Sequence, residues 1–199
     1  MTRRIVSPGL ASFVKNSLNK DPDTTVFRGT LFEWHTREAL QSALGMSLDH
    51  VGGRSDRGID LRGHWPLSLT FSRLPSGIQP DILTQCKNVR KGCTPDHLRS
   101  LVGAVVGHTN DTNTIGLLAT PYHKPFTPLL LSAFSGSRVP LGLVQTEGIM
   151  LKSLIFNEAA KQLLPGISVT THYDPQGDTR PALLYQGEIL KADDDNSNY

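Results

Sequence analysis

Apolar positions recur at helical spacing after Asp21-Pro22-Asp23. Thr30 reads as an N-cap, and Leu31, Phe32, Ala39, Leu40, Ala43 and Leu44 form a stripe that Gly45 ends. Leu48 to Val51 then reads as a short strand, followed by a polar, glycine-rich turn over 52–58. Ile59 to Gly63 alternates as a second strand, with Asp60 and Arg62 on the face opposite Ile59 and Leu61. The Pro- and Gly-rich stretch His64 to Gln79 predicts a loop or irregular hairpin, and Ile82 to Val89 a third strand. Thr94-Pro95 opens a second helix, as N-cap and first helical residue, with Leu98, Leu101, Val102 and Val105 as its buried face and Gly107 at its end. Beyond it the pattern predicts a strand over Thr114–Ala119, a helix over Thr127–Ser135 and a strand over Val139–Thr146. A helix over Asn157–Leu164 and short strands over Ser168–Tyr173 and Leu183–Tyr185 follow. This order predicts an α/β fold, a mixed central sheet flanked by helices.

The third strand carries unusual residues. Period-two geometry puts Gln85 and Lys87 on one face and Thr84, Cys86 and Asn88 on the other. A lysine or glutamine near the middle of a sheet needs a reason. If Asp60 lies on a neighbouring strand, one face presents a carboxylate, an amide oxygen and an ammonium. Hard divalent cations take oxygen ligands: Asp60 offers a charged one, Gln85 a neutral one, and the Cys86 backbone carbonyl a third. Lys87 would add positive charge where a phosphoryl transition state is negative. Glu33 lies one turn into the first helix and has two readings. It completes a capping box with Thr30, or it reaches the same metal.

Charge and composition narrow the partners. The chain has 199 residues, 38% hydrophobic and 19% charged, which suits a folded domain rather than a disordered one. Its net charge is +2; the tail from Ile189 sets Lys191 against Asp193, Asp194 and Asp195, a net of −2, leaving +4 on the body. That balance permits a nucleic-acid partner. Arg54, Arg57, Arg62, His64, Arg90 and Lys91 flank the motifs as candidate phosphate contacts. Asp56 reads as a turn residue or as an outer-shell ligand of the metal. His35, His97, His108, His123 and His172 show no metal-binding spacing. Two cysteines, Cys86 and Cys93, are too few for a disulfide scaffold. No apolar run approaches the ~20 residues that span a bilayer, so no membrane partner is expected. The first twenty residues hold Arg3, Arg4, Lys15 and Lys20 with no acid, like a basic arm or the end of a mitochondrial targeting segment.

Glu33, then Gly53-x-x-Asp56-x-Gly58-Ile59-Asp60, then Gln85-x-Lys87 resembles the Mrr-type branch of the PD-(D/E)XK nucleases, in which Gln often replaces the last acid. The phrases Phe27 to Glu33, Gly52-Gly53 to Trp65-Pro66 and Gln85-Cys86-Lys87 are similar to the fungal mitochondrial "required for respiratory growth" proteins, over roughly residues 26 to 147. The resemblance implies a restriction-endonuclease-like αβββαβ core and mitochondrial location. It implies Mg²⁺- or Mn²⁺-dependent DNA cleavage, with Glu33, Asp60, Gln85 and Lys87 as catalytic residues. The metal would be held by Glu33, Asp60, Gln85 and the Cys86 carbonyl. The expected layout is an arm or targeting remnant over 1–25, a nuclease core over 26–150, an extension of the same domain over 151–188, and an acidic tail over 189–199. Gln85 lowers the site's negative charge by one, so an inactive DNA-binding module is a second expectation and an RNA-processing nuclease a third. A homodimer would suit an enzyme that cuts both strands, although no dimer motif is visible.

Overall fold

The structure, a computed structural model, describes residues 9–17, 21–51, 58–108, 113–173 and 177–191. The glycine-rich turn with Asp56, and with it the candidates Arg54 and Arg57, lies outside the described residues, as does most of the acidic tail.

A short helix α1 (Leu10–Asn16) leads into α2 (Thr25–Leu44). The α2 cap is Thr24, not Thr30: the Thr24 hydroxyl accepts from the Phe27 N–H at 3.2 Å. The apolar stripe misleads here because the first turns of α2 do not face the sheet. They meet α1 instead, with Phe27 against Phe13 at 5.6 Å between ring centroids. Thr30 therefore lies inside the helix, and the capping-box reading of Glu33 falls. Gly45 ends α2 in the left-handed conformation, φ 68°.

Six strands form the main sheet: β1 (Ser47–His50), β2 (Leu61–His64), β3 (Asp81–Cys86), β4 (Thr114–Pro121), β5 (Leu141–Glu147) and β6 (Met150–Phe156). They lie side by side in chain order. The β1–β2, β2–β3 and β5–β6 pairs are antiparallel; β3–β4 and β4–β5 are parallel. The parallel pairs require crossovers, supplied by α4 (Pro95–His108) and α5 (Pro128–Ser135). The molecule is thus a mixed α/β protein with helices on both faces of a mixed sheet.

Two apolar layers result. One holds Phe32, Leu40, Leu61, Ile82, Cys86, Leu117 and Val144 on the α2 face. The other holds Ile59, Leu83, Leu101, Leu118, Leu130 and Leu143 on the face covered by α4 and α5. Ile59 and Leu61 therefore enter opposite layers, which corrects the expectation that they share one. With both faces covered, apolar residues need not alternate with polar ones.

Between β2 and β3 the expected loop is a packed segment. It contains one helical turn, α3 (Leu67–Thr70), and buries Trp65, Leu67, Phe71 and Leu74. Trp65 Nε1 donates to the Leu44 carbonyl at 2.7 Å, tying the end of α2 to the end of β2. Strand β6 is absent from the sequence-based expectation. After it come α6 (Glu158–Gln162), capped by Asn157, and a separate antiparallel sheet of β7 (Ile167–Tyr173), β8 (Thr179–Tyr185) and β9 (Glu188–Ile189).

Candidate functional site

Strands β2 and β3 pair regularly from His64 and Asp81 to Leu61 and Thr84. The Asp60 N–H still donates to the Thr84 carbonyl at 2.9 Å. One residue further the ladder splits, and side chains replace backbone. The Asp60 carboxylate, through Oδ2, accepts the Cys86 N–H at 2.7 Å. The Gly58 carbonyl accepts from Gln85 Nε2 at 2.8 Å. Gly58 has φ 79°, and a Cβ there would lie 2.6 Å from Gln85 Nε2, so glycine is required twice over.

Gln85 is 1% exposed, and its Oε1 has no hydrogen-bond partner among the described residues. A buried acceptor left unmade costs about 1–3 kcal/mol, and such exceptions in folded proteins call for an explanation. Cys86, by strand alternation, turns its N–H and C=O toward β2, as Thr84 does, so its carbonyl also faces the split. On the other side, the Lys87 N–H continues the parallel ladder to Ala119 at 2.8 Å. Pro121 has no N–H with which to extend it.

Three of the four candidates, Asp60, Glu33 and Lys87, act electrostatically on Cys86 at the split. Cys86 registers this convergence. Burial pushes its thiol well above the ordinary value, and the carboxylates of Asp60 and Glu33 push the same way; the Thr36 hydroxyl and the Lys87 ammonium act against them. The thiol therefore stays protonated and serves neither as nucleophile nor as thiolate ligand. Lys87 belongs to the α4 side, where it also acts on Cys93 and His97. Both cysteines are free.

Glu33 has a partner that sequence reasoning missed. His50, the last residue of β1, donates from Nε2 to Glu33 Oε2 at 2.6 Å. The imidazole stacks on Trp34, 4.7 Å between centroids with 12° between planes. Arg37 lies over the other ring system of this group, 5.5 Å from the Trp34 centroid. The only sequence signal for His50 was its place at a strand end, just before the glycine-rich turn.

The basic candidates divide. Arg90 and Lys91 form an exposed turn just beyond Lys87, and Lys124 Nζ donates to the Arg90 carbonyl at 2.9 Å. Lys124 was not among the candidate phosphate contacts. Arg62 is paired in register with Asp49, an opposite charge across the ladder. His64 sits at the far end of β2, four residues and roughly 13 Å of strand from Asp60.

A cation at the split would find oxygen donors in Asp60, Glu33, the Gln85 amide and the Cys86 carbonyl. The orphaned Gln85 Oε1 is the feature that fits a hard divalent ion. Among the described residues no group of three His, Cys, Asp or Glu side chains is assembled as a metal cluster.

The fold and site define a mixed α/β protein with a charged, split strand pair next to the parallel centre of its sheet. Comparison with known proteins supplies the family. The family model described as "Required for respiratory growth protein 7" matches residues 24–164, and the chain belongs to that family. A mitochondrial member from Vanderwaltozyma polyspora is 30% identical over 178 residues, covering 70% of each chain. One from Saccharomyces cerevisiae is 24% identical over 189 residues, covering 75% of this chain and 76% of its own. A shorter match of 66 residues to the Zygosaccharomyces rouxii protein is 38% identical, covering 32% of this chain and 27% of that one. All three are named as mitochondrial, and the protein is mitochondrial accordingly. No solved structure matches the chain. No helix among the described residues is long and apolar enough to cross a membrane.

Proposed function

We propose that the protein is a divalent-metal-dependent DNA endonuclease of the PD-(D/E)XK type. In this reading α2, β1, β2, β3, α4 and β4 make a restriction-endonuclease-like αβββαβ core. The observation that carries it is the split between β2 and β3, which the Asp60 carboxylate and the Gln85 amide bridge and where Gln85 Oε1 is buried without a partner among the described residues. Glu33, Asp60, Gln85 Oε1 and the Cys86 carbonyl would hold Mg²⁺ or Mn²⁺. Such an ion supplies Lewis acidity and lowers the pKa of bound water. Lys87 brings an ammonium to the place where phosphoryl oxygens gain charge. Arg90, Lys91 and Lys124 hold neighbouring phosphates at the same end of the sheet. His50 fixes the Glu33 carboxylate so that it need not be ordered at the moment of reaction. Mitochondrial location makes organelle DNA the substrate at hand.

The test is cleavage of duplex, branched and single-stranded DNA with Mg²⁺ or Mn²⁺. Asp60→Ala and Lys87→Ala should each reduce cleavage at least about 100-fold, a loss typical of removing one transition-state contact, while leaving DNA binding in place. No cleavage of any substrate would eliminate the enzyme. A DNA-binding module with the same fold is the second reading. It is favoured by the Gln85 amide, which already donates to Gly58 and brings no negative charge. Binding without cleavage would select it, and RNA substrates run in parallel test an RNA-processing role.

A further inference from the structure

Beside the split, α2 and the carboxy-terminal ends of β3, β4 and β5 enclose a cleft of about 260 Å³. It starts one residue away from the candidate site on two elements: Phe32 precedes Glu33, and Asn88 follows Lys87. Its volume falls just under the ~300–1,000 Å³ of pockets that take drug-sized ligands. It has room for a group near the size of one nucleoside.

We propose that this cleft receives a single unpaired nucleoside of the bound strand, so that the protein acts on single-stranded, gapped or branched nucleic acid in preference to intact duplex. The inference rests on the nuclease reading only for the identity of the strand. The cleft's own chemistry carries the rest. Tyr122 is 46% exposed and presents a phenol ring; His35 adds a second flat surface. Flat aromatic groups stack on bases of any sequence. The Tyr122 N–H donates to the Thr146 carbonyl at 3.0 Å, which fixes the ring's backbone beside β5. Thr146 is 2% exposed, lines the cleft, and its buried hydroxyl has no partner among the described residues. A base edge in the cleft would supply that hydroxyl with a partner. Asn88 offers an amide for the same purpose. Its Nδ2 also donates to the Arg28 carbonyl at 3.4 Å and so links the end of β3 to α2. Arg28, exposed at the rim, supplies a guanidinium for the adjoining phosphate.

The experiment is equilibrium binding in EDTA, which needs neither metal nor cleavage. The probes are a short fluorescent single strand, the matching duplex, and deoxyadenosine 5′-monophosphate. The intact chain should bind the single strand more tightly than the duplex. Tyr122→Ala should weaken single-strand binding about tenfold, the usual loss of one stacked base, and change duplex binding less than threefold. Thr146→Val keeps the side chain's shape and should weaken the mononucleotide without lowering the thermal midpoint. Equal affinity for single strand and duplex would overturn the proposal, as would unchanged binding by both variants. Parallel cleavage assays with Mg²⁺ separate the two readings. Cleavage with unchanged single-strand affinity in both variants removes the cleft and keeps the nuclease. Cleft-dependent binding without cleavage keeps the cleft and removes the nuclease.

Discussion

Gln85 holds two roles that pull apart on substitution. Its amide nitrogen closes the β2–β3 split through Gly58, and its orphaned oxygen is the donor on which the cation proposal leans. Gln85→Glu tests both. Without metal, a carboxylate would face the Gly58 carbonyl in a site that is 1% exposed, with two acceptors opposed and a charge removed from water. The variant should lose about 1–3 kcal/mol of stability in EDTA. A divalent ion relieves that conflict, so the rise in thermal midpoint on adding Mn²⁺ should be larger than in the parent protein. Equal Mn²⁺ shifts in the two proteins would show that position 85 does not face a cation. The sequence pattern already exposed Gln85 and Lys87 as partners, because strand period is simple. It could not expose His50, whose role arises only when β1 and α2 meet.

Helix α4 opens on a side chain that titrates. The Thr94 N–H donates to His97 Nδ1 at 3.0 Å, so a histidine at the third position serves as the reciprocal half of a capping box. Burial and the Lys87 ammonium lower the His97 pKa from the ordinary 6.5, against a raising effect of Asp96. The native state therefore binds its proton later than the unfolded chain as pH falls. Between 6.5 and the native pKa the unfolded state carries more protons, so stability drops as pH falls through that window and levels off beneath it. Above 6.5 both states are neutral and the group adds no slope. Urea unfolding from pH 7.5 to 5 should show this loss, and His97→Gln, an acceptor that does not titrate, should flatten it. An unchanged slope in His97→Gln would place the acid sensitivity elsewhere.

Asn157 is the corresponding device at α6. Its Oδ1 accepts from the Leu141 and Ala160 N–H groups at 2.9 and 3.0 Å, and its Nδ2 donates to the Val139 carbonyl at 2.8 Å. The residue is 3% exposed, so Asn157→Leu strands several buried backbone groups. It should cost about 2–4 kcal/mol in denaturant unfolding, more than one lost cap. These two elements also show what the sequence could tell. Thr94-Pro95 is a local cap signal and was legible; Asn157 marks the start of the expected helix, but its role as the cap was not read. Thr30 was misread for Thr24 because the first turns of α2 bury their apolar side on α1, not on the sheet. Strand β6 was hidden because a register shift at Gln145/Thr146 and a covered sheet blur its alternation.

At the scale of the whole molecule, positive charge gathers at one end of the sheet. Lys87, Arg90, Lys91 and Lys124 follow β3 and β4 at the carboxy-terminal ends of the parallel strands, the end at which open α/β sheets place ligands. Arg62 and His64 were grouped with them in sequence because they follow Asp60 closely. Folding separates them: strand register gives Arg62 to Asp49, and His64 points away along β2. Proximity along a strand is thus a poor guide to a phosphate track, since ~3.3 Å per residue carries the chain off quickly. The difference can be read in salt dependence. Each phosphate contact adds about 0.9 to the slope of log affinity against log salt for duplex DNA, or about 0.7 for single strands. The double variant Arg90→Ala/Lys91→Ala should therefore lower that slope by about two contacts' worth and weaken binding alike for all sequences. Arg62→Ala and His64→Ala should leave both affinity and slope within error of the parent protein. If the Arg62 and His64 variants changed the slope while Arg90 and Lys91 did not, the strand would run along the β1–β2 edge instead. The nucleoside cleft, which opens beside Lys87 and not beside His64, would then be out of its path.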